Sequence, residues 1–168
     1  NYLYHDHPNT PSYGQKSQRT ITTAKRDKEI IRYYQDMCSW YDEEPQSWRL
    51  DRTKTVQTLL APGRIDKLSW NDVKTVVMCL HCLASYPINR TKFLSSSNNS
   101  LKDIIACWKL LLHSGPITSQ KINHVTSTLN NFGISSVQEL IGWYYPDKYP
   151  LMNSNSDCGM RFFGYKIN

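Results

Sequence analysis

The chain has 168 residues, 39% apolar and 20% charged, which suits one domain with a modest core and excludes wholesale disorder. No run of about 18 apolar residues occurs, so no membrane-spanning helix is expected. Twenty Lys and Arg stand against fourteen Asp and Glu, net +6, and residues 75–168 carry eight basic against four acidic groups. That surplus favours a polyanion through counterion release, although ordinary solubility charge accounts for it as well.

Residues 1–21 are polar and aromatic without a period, and read as an extended arm. A helix is expected from near Thr23, where Ile30, Ile31, Tyr34, Met37, Cys38 and Tyr41 recur at helical spacing, with Pro45 as its end. Asp42-Glu43-Glu44 before that proline reads as a solvated helix end. Residues 46–68 show no clear period, and Pro62-Gly63 marks a turn. Ser69-Trp-Asn-Asp72 has the form of a capping box, predicting a helix over 70–85 that Tyr86-Pro87 stops. After a polar loop at 94–99, Ser100-Leu-Lys-Asp103 predicts another capped helix, with Ile104, Ile105, Trp108, Leu111 and Leu112 as its apolar stripe and Gly115-Pro116 at its end.

Thr118 caps the next expected helix, on which Ile122, Val125 and Leu129 share a face. Gly133 is the residue suited to a positive φ at its close. Ser136-Val-Gln-Glu139 has the form of a third capping box, followed by Leu140, Ile141 and Tyr144, and Pro146 breaks that helix. A last short helix is expected at 154–163. No strand-like alternation longer than four residues occurs. The expected fold is therefore all-α, a compact bundle of five to seven short helices, with arm 1–21 and a single domain at 22–168.

The cysteines are Cys38, Cys79, Cys82, Cys107 and Cys158, an odd set without a disulfide framework. Cys79-Leu-His-Cys82 lacks the second ligand pair that a structural zinc site needs, so buried thiols are expected and no metal or cofactor. A reduced, intracellular setting follows, and the glycosylation triplets at Asn89 and Asn98 are discounted as chance products of an Asn- and Ser-rich chain. The chain opens on Asn1 without a visible leader, which reads as part of a longer or processed protein.

The informative stretch is 118–165: a helix, a tight turn at Asn131-Phe-Gly-Ile-Ser-Ser136, a helix, a Pro-rich hairpin and another helix. A tight turn ahead of a helix leaves backbone N–H groups and a partial positive charge for a phosphate. Lys121 and His124 on the preceding helix would add charge. The segment Phe132-Gly-Ile, Leu140-Ile-Gly, Tyr145-Pro-Asp-Lys-Tyr-Pro-Leu-Met-Asn-Ser154, Met160-Arg-Phe-Phe-Gly-Tyr165 resembles the helix-hairpin-helix core of base-excision DNA glycosylases. It is also similar to helical domains that accompany methylcytosine-dependent restriction ATPases and GTPases.

The resemblance implies a DNA-binding scaffold in a restriction or defence setting, but not the glycosylase chemistry. One hairpin glycine is missing, since Gly133-Ile134-Ser135 stands where the family has Gly, a hydrophobic residue and Gly. Asn153 stands at the catalytic carboxylate's position, and an amide can neither deprotonate a nucleophile nor stabilise an oxocarbenium ion. Val137 and Gln138 lie where bifunctional members place a nucleophilic Lys.

The expected function is thus a non-catalytic nucleic-acid-binding module, DNA being the expected ligand. Its contacts would come from Lys121, His124, Asn131, Gly133, Ser135, Ser136, Tyr149, Asn153, Ser154 and Asn155. The aromatic cluster Trp143, Tyr144, Tyr145 and Tyr149 suits base stacking, with core and hairpin packing the favoured reading. Two other classes stay open. A protein-interaction domain would dock other subunits through arm 1–21. A divergent glycosylase or nuclease would act through Asp147 or Asp157.

Overall fold

In a computed structural model of the chain, the described residues are 47–150 and the single positions 28, 31, 32, 35, 160 and 161. Among them are seven α-helices, one short 3-10 helix and no strand. The helices are α1 (Ser47–Leu59), α2 (Trp70–Cys79), α3 (His81–Ala84), α4 (Pro87–Phe93), α5 (Leu101–His113), α6 (Ser119–Thr128) and α7 (Ile134–Tyr144). The chain divides into two compact units, Arg49–Leu151 and a second made of Asn1–Trp48 with Met152–Asn168. The expected arm 1–21 and the boundary at residue 22 lie outside the described residues. So does most of the helices expected at 23–45 and 154–163, of which Lys28, Ile31, Arg32, Gln35, Met160 and Arg161 are described and helical. No helix among the described residues is long and apolar enough to cross a membrane.

Polar caps start three of the longer helices. Ser69 accepts from the Asp72 amide while the Asp72 carboxylate accepts from the Ser69 amide, a complete capping box for α2. These bonds to Ser69, with Arg64 at 3.0 Å, hold the Asp72 carboxyl below its usual range. Ser100 caps α5 and Thr118 caps α6, each through a side-chain oxygen and the amide three residues on. Gly115, at φ +90°, turns the chain after α5 in a region that few residues other than glycine adopt.

The core of the unit Arg49–Leu151 gathers around α5, whose Ile104, Cys107, Trp108, Leu111 and Leu112 are all buried. Phe93, Trp108 and Phe132 form an aromatic triad with ring centroids 5.0–6.4 Å apart. The last of the three stands in the turn between α6 and α7, so the triad pulls that turn onto the core. Burying rings of this size contributes roughly 2–3 kcal/mol each. The Trp108 Nε1–H is buried without a hydrogen-bond partner among the described residues.

The helix boundaries depart from the sequence expectations in four places. The aperiodic stretch 46–68 contains α1, a 13-residue helix with Val56 as its buried residue. The helix expected over 70–85 breaks at Leu80, whose ψ of 111° is extended, to give α2 and α3. Pro87 opens α4 rather than only ending a helix, because a proline at the first helical position has no N–H to lose. Ser136 and Glu139 are not a capping box, since α7 already begins at Ile134 after an extended Gly133.

Candidate nucleic-acid interface

The α6–α7 turn is built from Leu129 to Gly133. Leu129 leaves the helical region at ψ 116°, and Asn131 takes the left-handed conformation at φ 60°. The positive φ expected at Gly133 thus belongs to Asn131, whose short polar side chain tolerates it. Gly133 sits at φ −78°, as the N-cap of α7, without a side-chain cap. A Cβ added there meets open space.

The amides of Gly133, Ile134 and Ser135 bond to nothing among the described residues, and the first satisfied amide of α7 is that of Val137, on the Gly133 carbonyl. Asn131, Gly133, Ile134 and Ser135 are all exposed. Three main-chain donors therefore face water at the positive end of an 11-residue helix.

A bridge of asparagines fixes this turn. Asn99, 4% exposed, donates from Nδ2 to the carbonyls of Phe93 (2.8 Å) and Asn130 (3.0 Å), and its Oδ1 accepts from the Asn130 amide at 2.8 Å. Asn130 returns a bond from its own Nδ2 to the Asn98 carbonyl at 2.8 Å. The Asn98 Nδ2 donates in turn to the Lys92 carbonyl. The α4–α5 loop and the α6–α7 turn are held as one polar platform. None of these bridging residues was among the expected contacts. The only sequence signal is the pair Asn98-Asn99 ahead of a capping serine, matched by Asn130-Asn131 ahead of a glycine.

Several expected contacts are placed elsewhere. The Lys121 ammonium donates to the carbonyls of Ser114, Gly115 and Pro116 at 2.8–3.2 Å, so it closes the C-terminal end of α5 instead of facing the turn. Ser136 is buried, with its hydroxyl 3.3 Å from the Cys82 Sγ, and is withdrawn from any phosphate. His124 is exposed on α6. Tyr149, 38% exposed, lies edge-on to Tyr145, whose hydroxyl donates to the Leu112 carbonyl, while Trp143 is buried; the tyrosine cluster mainly packs. Asn153, Ser154, Asn155 and Asp157 lie outside the described residues, and Asp147 is exposed in the turn after α7.

The charge distribution suits an anion. The unit Arg49–Leu151 holds twelve Lys and Arg against six Asp and Glu. Between Asp72 and Glu139 the sequence has one carboxylate, Asp103, and six cations. Three of the six have structural partners: Arg90 on the Ala84 carbonyl, Lys109 on Asp66 and Lys121 as above. Lys74, Lys92 and Lys102 are exposed and have no partner among the described residues.

Behind the turn, Glu139 is 4% exposed, and its carboxylate accepts the Cys82 amide at 3.3 Å. It thereby caps α3 from a distant helix. Burial pushes its pKa up, partly offset by the main-chain bonds from Cys82 and His81 and by the charge of Arg52. Burial and the Glu139 charge push the Cys82 thiol up to about 11, so it is an unreactive thiol at neutral pH. Cys79 and Cys107 are buried free thiols.

No family model, no curated protein and no solved structure matches the chain.

Proposed function

We infer that the unit Arg49–Leu151 is a non-catalytic nucleic-acid-binding module, with double-stranded DNA as its ligand, held through main-chain amides at the start of α7. The carrying observation is the row of unbonded, exposed amides at Gly133, Ile134 and Ser135, on a turn fixed by buried Asn99. The low carboxylate content from residue 73 to 138 supports it. The helix-hairpin-helix resemblance supports it too, and adds the expectation of a restriction or defence assembly.

Replacing Gly133 tests the reading, because any residue adopts φ −78°, a Cβ there meets nothing within 4 Å, and a bulky side chain is expected to crowd the amides. Gly133→Phe is expected to keep the thermal melt and to weaken binding to a short DNA duplex by roughly 10- to 100-fold, the equivalent of one or two charge-assisted hydrogen bonds. Unchanged affinity at low salt would overturn it.

The exposed Tyr86 (60%) and Ile88 (72%) at the start of α4 favour a second reading, a protein-docking surface. Salt separates the two, since phosphate binding weakens steeply with ionic strength and apolar docking does not.

A further inference from the structure

We propose that the α4–α5 loop is a second phosphate-contacting arm of this surface, with Lys92 and Lys102 on either side of it gripping the phosphodiester backbone of duplex DNA beside the α7 amides. The inference rests on the DNA-binding reading above and extends it to a separate element. The loop and the turn are one rigid body at this point, because four hydrogen bonds of 2.8–3.0 Å join Asn98 and Asn99 to Asn130 and to the end of α4. Neither segment, 94–100 or 129–136, contains a carboxylate. Apart from Ile134, which is half exposed, their exposed side chains are hydroxyls and amides, among them Ser96, Ser97, Asn98, Asn131 and Ser135, which suit phosphate and sugar oxygens.

The two lysines are distinguished by what the neighbouring cations do. Arg90, Lys109 and Lys121 already serve carbonyls or Asp66, whereas Lys92 and Lys102 are exposed at the two ends of the loop. Lys92 is tied to the platform through its own carbonyl, which accepts from Asn98. Lys102 stands three residues beyond Asn99, in the first turn of α5. A lysine is a strongly hydrated point charge on a flexible stem, fitted to sequence-independent phosphate contact rather than to base readout.

The test is the salt dependence of binding to a short duplex of arbitrary sequence, followed by fluorescence anisotropy. Wild type is compared with Lys92→Ala, Lys102→Ala, Gly133→Phe and the charge-matched control Lys74→Ala on α2. Each loop lysine is expected to lower the slope of log K against log salt by about 0.9, and the control to leave it nearly unchanged. All three lysines are exposed, so the folded state is retained and melting curves check it. If Gly133→Phe weakens binding while Lys92→Ala and Lys102→Ala behave like the control, the second arm is refuted and the amide site stands. If Gly133→Phe has no effect, or wild type binds no duplex at low salt, the amide reading fails and the arm falls with it.

Discussion

Asn99 is the residue on which the platform depends, and its removal gives the sharpest test of the structure. Asn99→Ala deletes three hydrogen bonds at 2.8–3.0 Å, two to carbonyls and one from the Asn130 amide. At about 0.5–1.5 kcal/mol net per bond, the loss is about 1.5–4.5 kcal/mol. The upper half of that range is expected, because Phe93 is fully buried and its carbonyl partner is lost with no solvent to replace it. Asn130 is exposed as a residue, but both of its bonds to Asn99 are partly buried and count toward the sum. A destabilisation of about 3 kcal/mol should appear in urea unfolding as a lower midpoint with an unchanged slope. The Asn130 amide should also lose its protection against hydrogen exchange. A destabilisation under about 0.5 kcal/mol, or an Asn130 amide as protected as before, would refute the view that this bridge holds the turn.

Two further outcomes follow from the same region. Asn131→Val should cost about 1–2 kcal/mol, since a branched side chain resists φ 60°, while Asn131→Gly should be nearly neutral; equal melts for both would contradict the left-handed assignment. Glu139 has a folded pKa raised above its ordinary 4.5, so the folded state holds the proton more tightly and stability falls as pH rises from about 4.5 through the folded value. Asp72, held low by Ser69, acts oppositely: its contribution is present above the unfolded pKa and is lost as pH falls through the folded one. Glu139→Gln should therefore flatten the loss of stability above pH 4.5 and leave the acid limb governed by Asp72, as read from urea midpoints across pH; a persisting decline above that pH would count against the burial of this carboxylate.

Much of the fold was legible because capping chemistry is local. Ser69, Ser100 and Thr118 each sit three residues before the amide they accept, and the apolar spacing of α5 and α7 does the rest. What was not legible depended on partners far along the chain. Helix α1 is rich in threonine and buries Val56, so it has almost no stripe to read. Ser136 and Glu139 have the spacing of a cap, and the same spacing also places two side chains on one face of a helix; only the presence of α3 across from them decides between the two. The turn expected over Asn131–Ser136 is shorter in the structure, ending at Gly133 because Ile134, Ser135 and Ser136 already belong to α7, and its left-handed residue is Asn131, two positions before the glycine expected to take that role. Lys121, expected to add charge beside the turn, instead serves the carbonyls within reach of a lysine just beyond a helix that ends in Gly-Pro.

The cap on α3 has a consequence for how the chain acquires its shape. Four residues are too few to form a helix unaided, and the carboxylate that satisfies the amide of Cys82 arrives 57 positions later. Both partners of the capping box of α2, Ser69 and Asp72, lie within its own first turn and are present before the helix is complete at Cys79. Its neighbour must wait until α7 exists and has docked. Any truncation ending before Glu139 leaves the Cys82 amide of His81–Ala84 without this acceptor.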